Sequence, residues 1–280
     1  MITERFAPSP TGLLHLGHAF SALTAYDAAK AAKGRFILRI EDIDAPRASR
    51  AHENQMLEDL TWLGVAWEAP VLRQSDRMNE YQAAFDHLAR LDLLYPCSCT
   101  RGDINRALSA PQDGDAAASV YPGTCRNRKM ASYQDGDALR LDMARAVAGY
   151  TYLAYCEIGD GSDRLITKTA KSLVETIGDF VIARKDIKTS YNLSVVVDDA
   201  YQNVTHVTRG EDMVDVTPVH VLLQMLLSLP TPIYRHHCLI RDQDGKRLAK
   251  RHDALSLKKL REDGATPTDI REMVGLPSTG

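Results

Sequence analysis

The chain of 280 residues contains no run of about 18 apolar residues, its longest apolar stretch lying near Val219 to Leu229, so nothing in it is built to span a membrane. Its amino terminus lacks the unbroken apolar core of a signal peptide. Pro8 and Pro10 interrupt "RFAPSPTGLLHLGH" instead, and the same prolines exclude a central β-strand at that point. Cysteine is scarce and odd in number: the five, at 97, 99, 125, 156 and 238, cannot form a secreted disulfide framework, which leaves reduced thiols or a metal site. Neither sign of charge dominates, with a net charge of −3, so the chain has no globally basic character to hold nucleic acid. Local cations must serve instead, such as Arg126, Arg128 and Lys129, or Lys246 to Arg251. No internal repeat is present. What remains, at 44% hydrophobic and 25% charged, is ordinary globular composition, expected of a cytoplasmic chain with one large domain or a domain carrying an insertion.

Leu16, Phe20 and Leu23 recur at helical spacing with Gly34 as a C-cap, which predicts a helix from about His15 to Lys33. Phe36 to Ile40 reads as a buried strand. Strand, turn, helix and strand within 40 residues begin a parallel α/β sheet with a right-handed crossover. Glu41, Asp42 and Asp44 fall just past that strand's carboxyl end, where open α/β sheets bind ligands. Helices are expected around Met56, Leu60 and Leu63 and around Tyr81, Phe85 and Leu88. From Cys97 to about Leu173 the pattern weakens, with a polar surface loop at Pro111 to Ala118, and reads as an insertion. Phe180 to Ala183 is a strand. The three valines of Leu193 to Val197 favour another, with a buried helix as the alternative. Thr205 to Thr208 forms a strand delivering Arg209 at its end, Thr217 caps and Pro218 opens a helix, and Ile233 to Ile240 closes the sheet before a basic loop and a short helical tail. The divisions are 1–96 and 174–243 for the halves of the sheet, 97–173 for the insertion, and 244–280 for the loop and tail.

Two segments carry phosphate chemistry. In "HLGH", His15 and His18 stand three apart at a helix start, Gly17 lets a ligand approach the backbone, and the helix offers free amides and its positive dipole end. The bland alternative is a solvated helix start with two incidental histidines. In "DGKRLAKR", a turn at Asp244 and Gly245 carries Lys246, Arg247, Lys250 and Arg251. Such a loop is commonly just solvated, yet paired with HxGH it supplies cations for charge that grows on a triphosphate as pyrophosphate leaves. Together the two segments resemble the HIGH and KMSKS signatures of the class I aminoacyl-tRNA synthetases, with Arg247 for the usual lysine and Ala249 for the usual serine.

The resemblance narrows to the glutamate-specific branch on five ordered blocks: "RFAPSPTGLLHLGH", "RFILRIEDID", "YNLSVVVDD", "THVTRGEDM" and "DGKRLAKRH". It implies a Rossmann-like parallel sheet with an inserted zinc-binding, acceptor-type subdomain and a helical tail. It also implies ATP binding, with Mg2+, through His15, Gly17, His18, Arg247 and Lys250, of which His15, His18 and Lys250 are catalytic. Glutamate carries one ammonium and two carboxylates, matched in sign by Glu41 and by Arg5 and Arg209, and arginine grips carboxylates bidentately. Ala7, Ser9 and Tyr191 line the same pocket by resemblance.

"CSCTR" at 97–101 and "YPGTC" at 121–125 bring Cys97, Cys99 and Cys125, three soft ligands where structural zinc wants four. The pattern resembles the zinc site of the glutamyl-Q tRNA(Asp) synthetases, which implies Tyr121 as the fourth ligand; Cys156 and metal-free thiols are the alternatives. Only residues 252–280 follow Arg251, too few for the helical anticodon-binding domain of a full glutamyl-tRNA synthetase. The expectation is therefore an ATP-dependent monomeric ligase that transfers glutamate to queuosine in tRNA(Asp). Its rivals are a minimal glutamyl-tRNA synthetase charging tRNA(Glu), a non-catalytic tRNA-binding paralogue, and a small-molecule nucleotidylyltransferase with the same HxGH logic.

Overall fold

The computed structural model describes residues 1–109, 120–159, 162–240 and 256–277. The expected loops at 111–118 and 244–251, with Arg247, Ala249, Lys250 and Arg251, lie outside the described residues. In chain order the first half runs β1 (Thr3–Phe6), α1 (Leu16–Ala31), β2 (Arg35–Ile40), α2 (Arg50–Trp62), β3 (Glu68–Arg73) and α3 (Met78–Arg90). Then come β4 (Leu94–Cys97), α4 (Arg101–Ser109), β5 (Ala138–Leu141), α5 (Met143–Ala146), β6 (Tyr152–Ile158), β7 (Asp163–Thr169) and α6 (Ala170–Thr176). The chain continues through β8 (Phe180–Ala183), α7 (Tyr191–Tyr201), β9 (His206–Gly210), α8 (Thr217–Leu226), β10 (Ile233–His237), α9 (Leu257–Glu262) and α10 (Pro267–Met273).

Strands β1, β2 and β3 pair in parallel, and β10 pairs in parallel with both β9 and β6. The two sets meet where the Thr205 amide donates to Thr3 O at 3.0 Å and the Thr3 amide donates to Thr205 Oγ1 at 2.8 Å. The carboxyl ends of β1, β2 and β9 therefore open on one edge, as the α/β crossover rule requires. An antiparallel sheet of β4, β5 and β8 stands apart, while β7 pairs antiparallel with β6. One apolar core joins α1, β1, β2 and α2 to the tail through Leu257, Ile270 and Val274; a second lies among α3, the middle strands, α7 and α8.

Three local expectations are corrected. Gly34 is not the left-handed cap of α1: Lys33 takes that conformation at φ 49°, and Gly34 is needed because a Cβ there would meet Ile2 O at 2.4 Å. The valine-rich 193–197 segment lies within helix α7, capped by Ser190, whose side chain accepts from Leu193 N. A strand would throw Asp198 and Asp199 to opposite faces, whereas the helix buries both against arginines on neighbouring elements. Thr217 does not cap α8; the cap position is Val216, without a side-chain bond, and the Thr217 hydroxyl is turned to Arg209.

Candidate functional site

The proline-rich stretch after β1 is a clip. Pro8 O accepts from the Glu41 amide and Pro10 O from the Ser49 amide, both at 3.0 Å, which ties the exit of β1 to the exit of β2. Beyond it His15 is the N-cap of α1: its Nδ1 accepts from Gly17 N at 3.1 Å, and its own amide donates to His18 Nδ1 at 3.2 Å. Backbone donors on both Nδ1 atoms place the proton of each neutral ring on Nε2. The two rings lie 3.9 Å apart between centroids. Both flanks of the undescribed 241–255 segment dock here: His237 meets the Ser21 hydroxyl at 2.6 Å, while Ser256 bridges to His15 and Leu257 N donates to Leu14 O at 2.8 Å.

Beside the clip lies a cavity of about 430 Å³ whose wall includes Ser9, Glu41, Asp44, Arg184, Tyr191 and Asn192. Of the expected glutamate residues, Ser9, Glu41 and Tyr191 are thus on one wall. Arg5 and Arg209 lie behind it, 5% and 7% exposed, and Ala7 is half-buried on the clip. Arg5 Nε is 3.3 Å from Asp199 Oδ1, the oxygen that also accepts from Arg39 Nη2 at 2.6 Å. Glu41 Oε1 pairs with Arg39 Nη2 at 3.7 Å, too far for a hydrogen bond, and accepts no hydrogen bond. Burial pushes the Glu41 carboxyl up to about 7, against the pull of Arg39 and Arg5. A buried carboxylate with a hydrogen bond still to accept, on the wall of a cavity, is a place for a cation that can donate one.

Arg209 is held on three sides, by His236, His220 and Thr217. These partners, together with Arg39, Asp199 and Asn192, escaped the sequence reading. Asp199 had a signal in "VVVDD", masked by the preference of valine for strands. The histidines had none, being joined to the site only by long-range packing.

The thiols of Cys97, Cys99 and Cys125 lie within 4.8 Å of one another and could hold a metal ion. Tyr121 Oη is 3.4 Å from Cys97 Sγ and 3.5 Å from Cys99 Sγ, and accepts from Cys125 N at 3.0 Å. The residues fit a tetrahedral site with three sulfurs and one oxygen, whereas Cys156 is exposed on β6 and outside the cluster. Arg140 lies over the Tyr121 ring at 3.8 Å and its Nε donates to Cys97 Sγ at 3.4 Å, placing a cation beside sulfurs that become anionic when they bind metal. Burial raises the Cys125 thiol, but bonds from the Ser98 backbone and Tyr121 outweigh it and bring it down to about 7.

Among the described residues no helix is long and apolar enough to cross a membrane. The family model for the catalytic domain of class I tRNA synthetases (E and Q) matches residues 1–278. The glutamyl-Q tRNA(Asp) synthetase of Rhodobacter capsulatus is 51% identical across 99% of this chain and 100% of that protein, and that of Rhodopirellula baltica 40% identical across 95% and 82%. A glutamate tRNA ligase from Elizabethkingia meningosepticum, solved with its amino acid, superposes with a TM-score of 0.75 at 28% identity over 98% of this chain. This chain spans 60% of that enzyme's length. The paired histidines at a helix start, the shared sheet edge and a match over nearly every residue lead to one placement: the chain belongs to the E and Q family of class I tRNA synthetases, among the glutamyl-Q tRNA(Asp) synthetases.

Proposed function

We propose that the chain activates L-glutamate with Mg·ATP and transfers the glutamyl group to the queuosine base in the anticodon of tRNA(Asp), acting in the cytoplasm as a monomer. The observation that carries the reading is the buried Glu41 carboxylate on the cavity wall, whose Oε1 accepts no hydrogen bond, with Arg5 buried near it and Arg209 joined to the wall residue Asn192 through His220. It fits an ammonium held at Glu41 and carboxylates drawn toward Arg5 and Arg209. An α-carboxylate oxygen then attacks the α-phosphorus of ATP, the bond to pyrophosphate breaks, and glutamyl-adenylate forms. A ring hydroxyl of queuosine next attacks the activated carbonyl carbon and releases AMP. His15, Gly17 and His18, with Arg247 and Lys250, stabilise the phosphate charge, and Ala7, Ser9 and Tyr191 complete the amino-acid pocket. Positioning and electrostatics carry the rate, since little proton transfer is needed. Magnesium accompanies ATP as part of the substrate. Cys97, Cys99, Cys125 and Tyr121 would hold zinc, which would tie the end of β4 to the 121–125 turn.

The acceptor is named from the relatives of matching length. Incubation with labelled glutamate, ATP and bulk tRNA, with and without queuosine, tests it. Label on queuosine-containing tRNA(Asp) is the expected result, together with glutamate-dependent pyrophosphate exchange in the absence of tRNA. Label on tRNA(Glu) without regard to queuosine would establish the minimal glutamyl-tRNA synthetase instead.

A further inference from the structure

Arg209 donates from Nε to His236 Nε2 at 3.3 Å, from Nη1 to His220 Nδ1 at 3.1 Å and from Nη2 to Thr217 Oγ1 at 2.6 Å. A guanidinium has hydrogens to give and no lone pair to accept with. His220 Nδ1 must therefore be unprotonated, and the neutral ring carries its proton on Nε2. Burial, with Arg209 and Arg5 nearby, holds His220 well below the ordinary histidine range, in keeping with that neutral form. Its Nε2 lies 3.1 Å from the side chain of Asn192, and because Nε2 is now a donor, the amide atom facing it has to be the oxygen Oδ1.

The orientation of one amide is thus fixed by a chain that starts at an arginine. The oxygen of Asn192 is turned inward to His220. Its NH2 is the other end of the same planar group, and Asn192 belongs to the wall of the cavity that Glu41 shares. Asn192 also stands in the first turn of α7, an 11-residue helix whose positive end and capping Ser190 border the same space.

We propose that Asn192 is a substrate-binding residue that donates from its NH2 to the side-chain carboxylate of the amino acid, and that His220 is the positioning residue that holds it, and Arg209, for that task. The inference rests on the reading of the chain as a glutamate-activating enzyme. With the ammonium at Glu41 and the α-carboxylate, drawn toward Arg5, presented to the nucleotide, the carboxylate left for Arg209 is that of the side chain. Two donors, the Asn192 NH2 and the guanidinium of Arg209, suit the two oxygens of a carboxylate, whereas glutamine has one oxygen to offer and would bring its NH2 against the second donor.

The test is Asn192→Asp, assayed by pyrophosphate exchange with glutamate and with glutamine as competing amino acids. Asp keeps an oxygen for His220, suits a helix first turn, and replaces the donor toward the cavity by an acceptor. A lost bond to a charged group corresponds to about tenfold to a hundredfold in affinity, so the glutamate KM is expected to rise by about that factor while kcat changes little. The preference for glutamate over glutamine should fall by about tenfold or more. His220→Phe should raise the glutamate KM as well, and His220→Gln, which restores an acceptor for Arg209 and a donor for Asn192, should recover most of it. An unchanged glutamate-to-glutamine ratio in Asn192→Asp, or a His220→Gln enzyme as impaired as His220→Phe, would overturn the proposal while leaving the function in place. A wild-type chain without glutamate-dependent exchange would overturn the function reading on which it rests.

Discussion

The cavity at the strand ends and the cysteine cluster are built in opposite ways. The cavity depends on pairs such as Arg5 on β1 with Asp199 on α7, 194 positions apart, which only the packing of helix on sheet brings together. The cluster joins Cys97, Cys99, Tyr121 and Cys125, all within 28 positions. Behind the cavity wall, charge is met by charge: Arg39 and Arg5 share Asp199, while Gln74, Arg77 and Tyr81 share Asp198. At the cluster, by contrast, Cys97 and Cys99 meet Tyr121 at 3.4 and 3.5 Å and Cys99 meets Cys125 at 3.6 Å, with Arg140 donating to Cys97 but no carboxylate among them. A site assembled over long range has to be braced by the protein's own ion pairs before a ligand arrives. A local site can leave that bracing to a bound metal.

The sharpest way to break this contrast is to remove the brace. Asp199→Ala leaves Arg5 and Arg39 buried without their shared anion, and is expected to cost about 3–5 kcal/mol in denaturant unfolding. The cysteine cluster, with its separate packing against Ile104, should bind metal as before wherever the variant still folds. A loss under about 1 kcal/mol would mean that the arginines find other partners and that the cavity needs no brace.

Glu41 is the exception within the braced region, and pH reveals it. Its carboxyl sits at about 7 in the folded protein against 4.5 unperturbed. Below about pH 4.5 it is protonated in both states; as pH rises toward 7 the unfolded chain ionises first, so folding stability falls, and above 7 the deficit is complete. Glu41→Gln should therefore stabilise the chain at pH 8, by on the order of 3 kcal/mol, and hardly at all at pH 4. For the same reason glutamate should bind the native chain more tightly as pH rises through 7, as calorimetry can measure. A stabilisation equal at both pH values would show that packing, not charge, is at work.

The contrast also explains what could be read beforehand. HLGH, Glu41 after its strand and the cysteine spacing are local patterns, in which residue type and distance along the chain already carry the chemistry. At α7 three valines tilt the choice toward a strand, with a helix as the alternative, and what decides for the helix is the Ser190 cap and the arginines that meet Asp198 and Asp199 from β1, β2 and the turn before α3. Thr217 looked like a cap because Pro218 follows it, but the partner that claimed its hydroxyl lies on β9. Arg5 and Arg209 were identifiable as charges at strand ends. That they stand behind the cavity wall, and that histidines hold one of them, depends on packing that no local pattern encodes.

At the cluster the corresponding experiment is metal exchange. Zinc supplied at about a hundredfold over its Kd should stabilise the folded chain by about 2.7 kcal/mol relative to chelated protein. Protection from hydrogen exchange should rise around 97–99 and 121–126 and stay level at β1 and β2. Equal gains in both regions would mean that the cluster and the cavity open as one unit rather than two.

The smallest change asks what the tyrosine does. Tyr121→Phe keeps the ring beneath Arg140 and removes the oxygen that accepts from Cys125 N, which in metal-free protein should cost about 1 kcal/mol. If the oxygen is also the fourth donor to zinc, the cost must grow when metal is present, because the open position then falls to water. Comparing the loss with and without zinc isolates that difference from the lost hydrogen bond. A larger loss with zinc is the expected result. An equal loss would make Tyr121 a bracket for the Cys125 backbone and leave the metal with three protein ligands and an open position, so that the protein would brace even the local site at its fourth corner.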